Sequence, residues 1–256
     1  MERDMSFFKN VYQVDGDFGG EPAKIPVFYY DGTTITGIFP AKMSALKKFM
    51  PKSTYHPAPL FPGVGAVAVT CFEYRDTDIR PYNEISISIP ITYGSPSLVP
   101  AANLLSGLMK NEFNVHIHHL PVTTQIALDG GVNVYNYPKF LSTIEFAEQG
   151  GDITVTLAQD GDLILKVIAK KIPAKNSKTY RYVTYPVKDD CAQHADVLVN
   201  AKQFGQTIAP NSLRIELGES HPIAGELKGA LLAKSALIHQ YAPEFQAILY
   251  GPSRLE

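Results

Sequence analysis

EISISIPI, residues 84–91, alternates strictly: Ile85, Ile87 and Ile89 fall on one side of an extended chain, and Glu84, Ser86 and Ser88 on the other. That period of two marks a β-strand with one apolar and one polar face. The same pattern recurs outward from it. DITVTLAQDGDLILKVIAKK (152–171) reads as a hairpin, two β-rich arms joined where Asp160, Gly161 and Asp162 supply turn chemistry. Further strands are expected in KIPVFYY (24–30), TTITGIF (33–39), VAVTCFEY (67–74), FNVHIHHLPV (113–122), TYRYVTYPV (179–187) and SLRIEL (212–217).

Helices are few. MSALKKFMP (43–51) predicts one or two amphipathic turns ended by Pro51, and in SLVPAANLLSGLMKNEF (97–113) Leu104, Leu105 and Leu108 recur at helical spacing, although Gly107 weakens the pattern. HPIAGELKGALLAKSALIHQY (221–241) reads equally as a short helix or as loop plus strand. Glycine and proline, 19 of each, punctuate short segments instead of gathering in one linker, and no repeat divides the chain. The expectation is a single α+β domain over residues 1–256, built mainly of antiparallel strands.

Of the 256 residues, 45% are hydrophobic and 19% charged, enough to bury a large core. A net charge of −2, with lysines scattered through LKKF, AKKIPAKNSK and GELKG, excludes a phosphate-backbone binder, which needs a clustered basic face. Only Cys71 and Cys191 occur, no CxxC is present and no secretory leader opens the sequence, so a cytoplasmic location is expected. Apolar runs such as GVGAVAV fall short of the ~18–20 residues a membrane helix needs.

Several short motifs invite chemistry and have simpler readings. FPGVGAV (61–67) holds a GxG, but it lacks the third glycine and a following helix, so a tight turn into a strand explains it better than a dinucleotide site. In HIHH (116–119), His116 and His118 share a strand face, yet spacing marks no third metal ligand, and a polar strand face accounts for His116, His118 and His119. No metal is expected. Cys71, in AVTCFEY, reads as an inert buried thiol, and RDTDIR (75–80) as a solvated connection between strands.

YNYPKF (135–140) raises the sharper question of why Lys139 sits among Tyr135, Tyr137 and Phe140. It is either a surface lysine with its stem lying on a ring, or a nucleophile. MSALKKFMP, RDTDIRPYNEISISIPI, GVNVYNYPKFLSTIEF and SLRIELGESHPIAGEL, taken in this order and spacing, resemble the landmarks of the acetoacetate decarboxylase superfamily from about Lys24 to the C-terminus. The resemblance implies an antiparallel barrel or cone enclosing a pocket, a Schiff-base lysine at Lys139, and the family's glutamate at Glu84 in YNE. It also implies a small keto-acid substrate, no organic cofactor or metal, and a homo-oligomer, while the charge pattern and the short apolar runs leave no nucleic-acid or membrane partner expected.

The sequence also departs from that pattern. The family carries a second lysine after the first, where this chain has Phe140, and the arginine and second acidic residue of its pocket fall on Gly32 and Thr70. An unperturbed lysine titrates near ~10.4, so attack on a carbonyl demands a deprotonated amine, favoured by desolvation or a neighbouring cation; acetoacetate decarboxylase is itself the standard example of such activation. With the neighbouring cation missing, burial among Tyr135, Tyr137 and Phe140 must do this work. Glu84 is expected as proton shuttle or orienting group. Tyr82, Asn136, Tyr137, Phe140 and Tyr250 either line the substrate pocket or pack. An iminium stabilises decarboxylation, aldol addition and dehydration alike. The functional expectation is a decarboxylase-like carboxy-lyase, with a Schiff-base aldolase, dehydratase or hydratase, or a non-catalytic small-ligand binder, as alternatives.

Overall fold

A computed structural model of the chain describes residues 3–97 and 99–255, with Leu108 described by its backbone alone. The chain opens with the hairpin β1 (Val14–Phe18) and β2 (Glu21–Ile25), followed by β3 (Val27–Lys42), the short helix α1 (Met43–Leu46) and β4 (Tyr55–Pro57). Next come β5 (Val64–Thr77), β6 (Tyr82–Tyr93), α2 (Ala102–Lys110), β7 (Glu112–Val122), α3 (Gln125–Asn133) and β8 (Lys139–Leu141). The remainder is β9 (Thr143–Gln149), β10 (Asp152–Gln159), β11 (Asp162–Lys170), β12 (Asn176–Thr184), β13 (Val187–Lys188), β14 (Cys191–Thr207), β15 (Leu213–Leu217), α4 (Pro222–Ala230), β16 (Ile238–Leu249) and β17 (Ser253–Arg254).

Seven of these strands close on themselves in the order β6-β5-β3-β16-β14-β12-β7, with β7 returning to pair β6. Every pairing is antiparallel except β12 with β7. Closure removes the free strand edges that an open sheet would expose. EISISIPI lies in β6, and its two faces meet different surroundings. Glu84, Ser86 and Ser88 point into the barrel, while Ile85, Ile87 and Ile89 point outward into a buried apolar layer. That layer is covered by a second, four-stranded antiparallel sheet, β15-β11-β10-β9, which contributes Val155, Leu157, Leu165 and Val167, and by Ile223 and Leu227 of α4. The alternation therefore records a barrel wall whose outside is greasy because a second layer seals it.

The 152–171 hairpin forms as expected: Gln159 pairs Asp162 across Asp160 and Gly161, which both hold positive φ, the conformation a two-residue type I′ turn requires. MSALKKFMP gives α1 followed by one 3₁₀ turn over Lys47–Phe49. In SLVPAANLLSGLMKNEF the helix is α2; Leu98 and the Leu108 side chain lie outside the described residues. The 221–241 stretch resolves into both readings in succession, α4, then loop, then the start of β16. FPGVGAV is a turn, with the Val64 amide donating to the Phe61 carbonyl before β5. RDTDIR is less solvated than expected, since Asp78 accepts from the Phe28 amide, the Tyr30 hydroxyl and Gln13. The long β14, the hairpin β1–β2 and α3 went unmarked in the sequence reading.

Candidate active site

Lys139 begins β8, which adds in parallel to β7 with Lys139 opposite Leu120. The approach is tightly held. Asn136 takes a left-handed φ of 55°, the Tyr137 amide donates to the Gly131 carbonyl, and the Leu120 amide donates to the Pro138 carbonyl. These bonds aim Lys139 inward along α3, where Gly131 makes room for it: a Cβ there would lie 2.2 Å from Lys139 Cδ. The next glycine, Gly130, faces the Phe18 ring of the β1–β2 hairpin, with 2.2 Å to a would-be Cβ. The glycine pair thus lets α3 pack closely on two sides at once.

Inside the barrel, Lys139 Nζ donates to Glu84 Oε2 at 2.7 Å, and the two side chains are only 5% and 9% exposed. Glu84 is delivered by β6, opposite Phe72 on β5 and Val122 on β7. Its other oxygen accepts from the Tyr74 hydroxyl at 3.3 Å. The ammonium lies 5.7 Å from the centre of the Tyr82 ring, and the Tyr82 and Tyr29 hydroxyls share a hydrogen bond of 3.2 Å. Burial first, then the Glu84 charge, pushes Tyr29, Tyr74 and Tyr82 well above the ordinary phenol range, so all three stay neutral. The pair faces a chamber of about 90 Å³, walled by aromatic and aliphatic side chains with the hydroxyls of Thr34, Thr70, Ser86, Ser88 and Thr184. Among the described lining residues Lys139 and Glu84 carry the only charges.

The structure brings together Lys139, Glu84, Tyr82 and Tyr137; Tyr137 lines the chamber, stacks on Tyr135 and hydrogen-bonds Thr184 at 2.7 Å. Three other expected pocket residues lie elsewhere. Phe140 follows Lys139 in a strand, so it points the opposite way, into the core beneath the four-stranded sheet. Asn136 turns away to hydrogen-bond Gln193 at 3.0 Å. Tyr250 packs outside the barrel in the aromatic cluster of Phe8, Phe28 and Tyr30. Where the family resemblance places an arginine, Gly32 pairs with Phe245 across β3 and β16, and a Cβ at Gly32 would meet the Phe245 ring at 2.7 Å. Phe245 fills that space. Thr70, at the second acidic position, hydrogen-bonds Thr36 at 3.0 Å.

Tyr29, Tyr74, Phe245 and Gly131 were missed by sequence reasoning. Tyr74 and Phe72 share the period-two face of β5, but their meeting with Glu84 depends on the β5–β6 register, which no local signal fixes. Cys71 is fully buried, and burial pushes its thiol far up, as an inert thiol requires. The histidines hold a surprise of topology. A bulge in β7 inserts His118 between Ile117, opposite Ser88, and His119, opposite Ile87, so His118 and His119 turn the same way. Both reach Glu226 Oε2 on α4, at 3.1 and 2.8 Å, fastening that helix to the barrel. Glu226 is the third partner that spacing could not mark.

A closed, mainly antiparallel seven-stranded barrel with few short helices is the fold of acetoacetate decarboxylases. The acetoacetate decarboxylase family model matches residues 18–192, more than half of the chain, and the chain belongs to that family. No curated protein sequence matches it. Among solved structures, an acetoacetate decarboxylase superposes with a TM-score of 0.62 at 15% identity, over 90% of this chain and 89% of its own. The acetoacetate decarboxylase of Legionella pneumophila gives 0.63 at 13%, over 90% and 87%. The enduracididine biosynthesis enzyme MppR, complexed with pyruvate, gives 0.64 at 11%, over 90% of each chain. At these identities the likeness is one of fold. Among the described residues no helix is long and apolar enough to cross a membrane.

Proposed function

We propose that this chain is a lyase of the acetoacetate decarboxylase type, in which Lys139 forms a Schiff base with a small keto acid and Glu84 is its proton partner. The carrying observation is the buried 2.7 Å contact between Lys139 Nζ and Glu84 Oε2 at the chamber wall. Passing one proton across that contact leaves a neutral amine and a protonated Glu84. The amine lone pair attacks the carbonyl carbon, the carbinolamine takes the Glu84 proton as it expels water, and an iminium remains. In decarboxylation the electrons of the breaking C–C bond flow into the iminium as carbon dioxide leaves. The enamine then takes a proton on carbon, and water releases the ketone and Lys139. Tyr74, kept neutral, donates a hydrogen bond to Glu84 without adding charge.

A second reading has a specific basis. With Phe140 turned away and Gly32 bearing no side chain, the described residues offer the chamber no second cation to orient a departing carboxylate, which favours aldol or dehydration chemistry through the same iminium. MppR has also been solved with the condensation product of pyruvate and imidazole 4-carboxaldehyde. Incubation with acetoacetate or pyruvate, borohydride reduction and peptide mass mapping test the reading. A stable adduct on Lys139, lost in Lys139→Ala, is the expected outcome and removes the binding-only alternative. No adduct with any keto acid, where a known Schiff-base enzyme is trapped, overturns the mechanism. Product analysis then separates carbon dioxide release from water loss or aldol products.

A further inference from the structure

The inner chamber is small. An apolar cavity of about 150 Å³ just holds benzene, so about 90 Å³ holds a carbonyl carbon and its immediate substituents. It does not end there. Thr70, Ser88, Val115 and Tyr182 line both this chamber and a second one of about 540 Å³, and so form the waist between them. The outer chamber is large enough for a sizeable ligand, and α2 lies over it, contributing Asn103, Ser106 and Lys110.

Its polar groups are poised for a ligand. Asn103 Nδ2 and Thr92 Oγ1 are buried without a hydrogen-bond partner among the described residues, and both residues line the outer chamber. Buried polar atoms ordinarily find partners, so these two, in the lining of one cavity, are free to meet a polar ligand atom. Charge agrees. Among the described residues Glu112 is the one acid lining this chamber and is paired with Arg181 at 2.9 Å, whereas Lys110, exposed at the rim, makes no ion pair. An amide donor, a hydroxyl and an unpaired rim ammonium together suit a carboxylate. Among the described residues the inner chamber has no cation for that task beyond Lys139 itself.

We infer that the keto acid taken by Lys139 extends beyond its small keto head: the carbonyl end enters the inner chamber while a far carboxylate is held in the outer one by Asn103, Thr92 and Lys110. This rests on Lys139 being the Schiff-base nucleophile, and the test keeps the two claims apart. Borohydride trapping is compared for acetone, for methyl ketones with a terminal carboxylate from levulinate to 9-oxodecanoate, and for uncharged methyl ketones of matching length. The longer oxo acids should half-saturate trapping at about 10-fold or lower concentration than their uncharged counterparts, as a charge-assisted hydrogen bond predicts. Asn103→Leu and Lys110→Met should each lower that selectivity several-fold. Selectivity indifferent to the carboxylate, or to both substitutions, overturns the inference. If no carbonyl compound is trapped, the nucleophile reading fails. The outer site is then judged by thermal-shift titration with octanoate, where saturable stabilisation weakened by Asn103→Leu supports it and none overturns it.

Discussion

At the scale of single residues, the decisive feature is a charge pair taken out of water. Desolvating Lys139 and Glu84 is repaid by their mutual contact, so each is tolerated in the barrel because of the other. Glu84→Gln and Lys139→Met should each destabilise the protein by about 3–5 kcal/mol in urea unfolding, since each strands a buried charge. The double variant should recover much of that loss, giving a large coupling in the cycle. Additive losses would count against a directly coupled pair. Lys139 was legible from YNYPKF only through its place in an ordered set of landmarks, and Glu84 from its alternation with isoleucines. The aromatic company of the pair was not legible, because Tyr29, Tyr74 and Phe245 arrive from three strands whose registers are set by tertiary pairing.

At the scale of elements, α3 carries more of the site than its sequence suggests. QIALDGGVN looks like a poor helix, since two adjacent glycines weaken helical propensity and blur any periodic signal. Those glycines are there for packing: one lies against the Phe18 ring and the other against the Lys139 stem. Gly131→Ala should therefore favour the helix intrinsically while pushing the lysine stem aside. The expected results are a smaller Lys139–Glu84 coupling in the same cycle and trapping slowed by up to about 100-fold, with the far-UV spectrum retained. Coupling and trapping at native levels would show that the stem yields freely. The β7 bulge went unread for a related reason. One inserted residue redirects His118, and nothing in HIHH distinguishes a bulged strand from a regular one.

For the molecule as a whole, the fold class and most barrel strands could be read from period-two patterning, because half-buried walls must alternate. Closure of the barrel, and the division into seven wall strands and a covering sheet, could not, because both sheets are written in the same alternation. The layered core also makes stability depend on pH. Burial holds His116 at about 4, with the neighbouring His118 adding to the effect, and burial alone holds His239 at about 4. Both lie below the ordinary histidine value, so the unfolded chain binds these protons more readily. Their contribution is complete above about pH 6.5 and is lost as pH falls toward 4, by up to about 1.4 kcal/mol per pH unit for each residue. Urea unfolding from pH 7.5 to 4 should trace this decline, and His239→Gln should make it shallower. A flat profile across that window would refute the assignment.

The position of the final long strand has a kinetic consequence. β16 is wedged between β3 and β14, pairing on one side with a strand about two hundred residues earlier in the chain, and it supplies Phe245, Ala247 and Leu249 to the inner chamber. Such distant pairings form slowly, because a long loop must be closed before any contact rewards it. Until β16 pairs, Lys139 and Glu84 stay wetted behind a wall with a missing stave. β16 is thus the stave that closes the wall and dries the chamber.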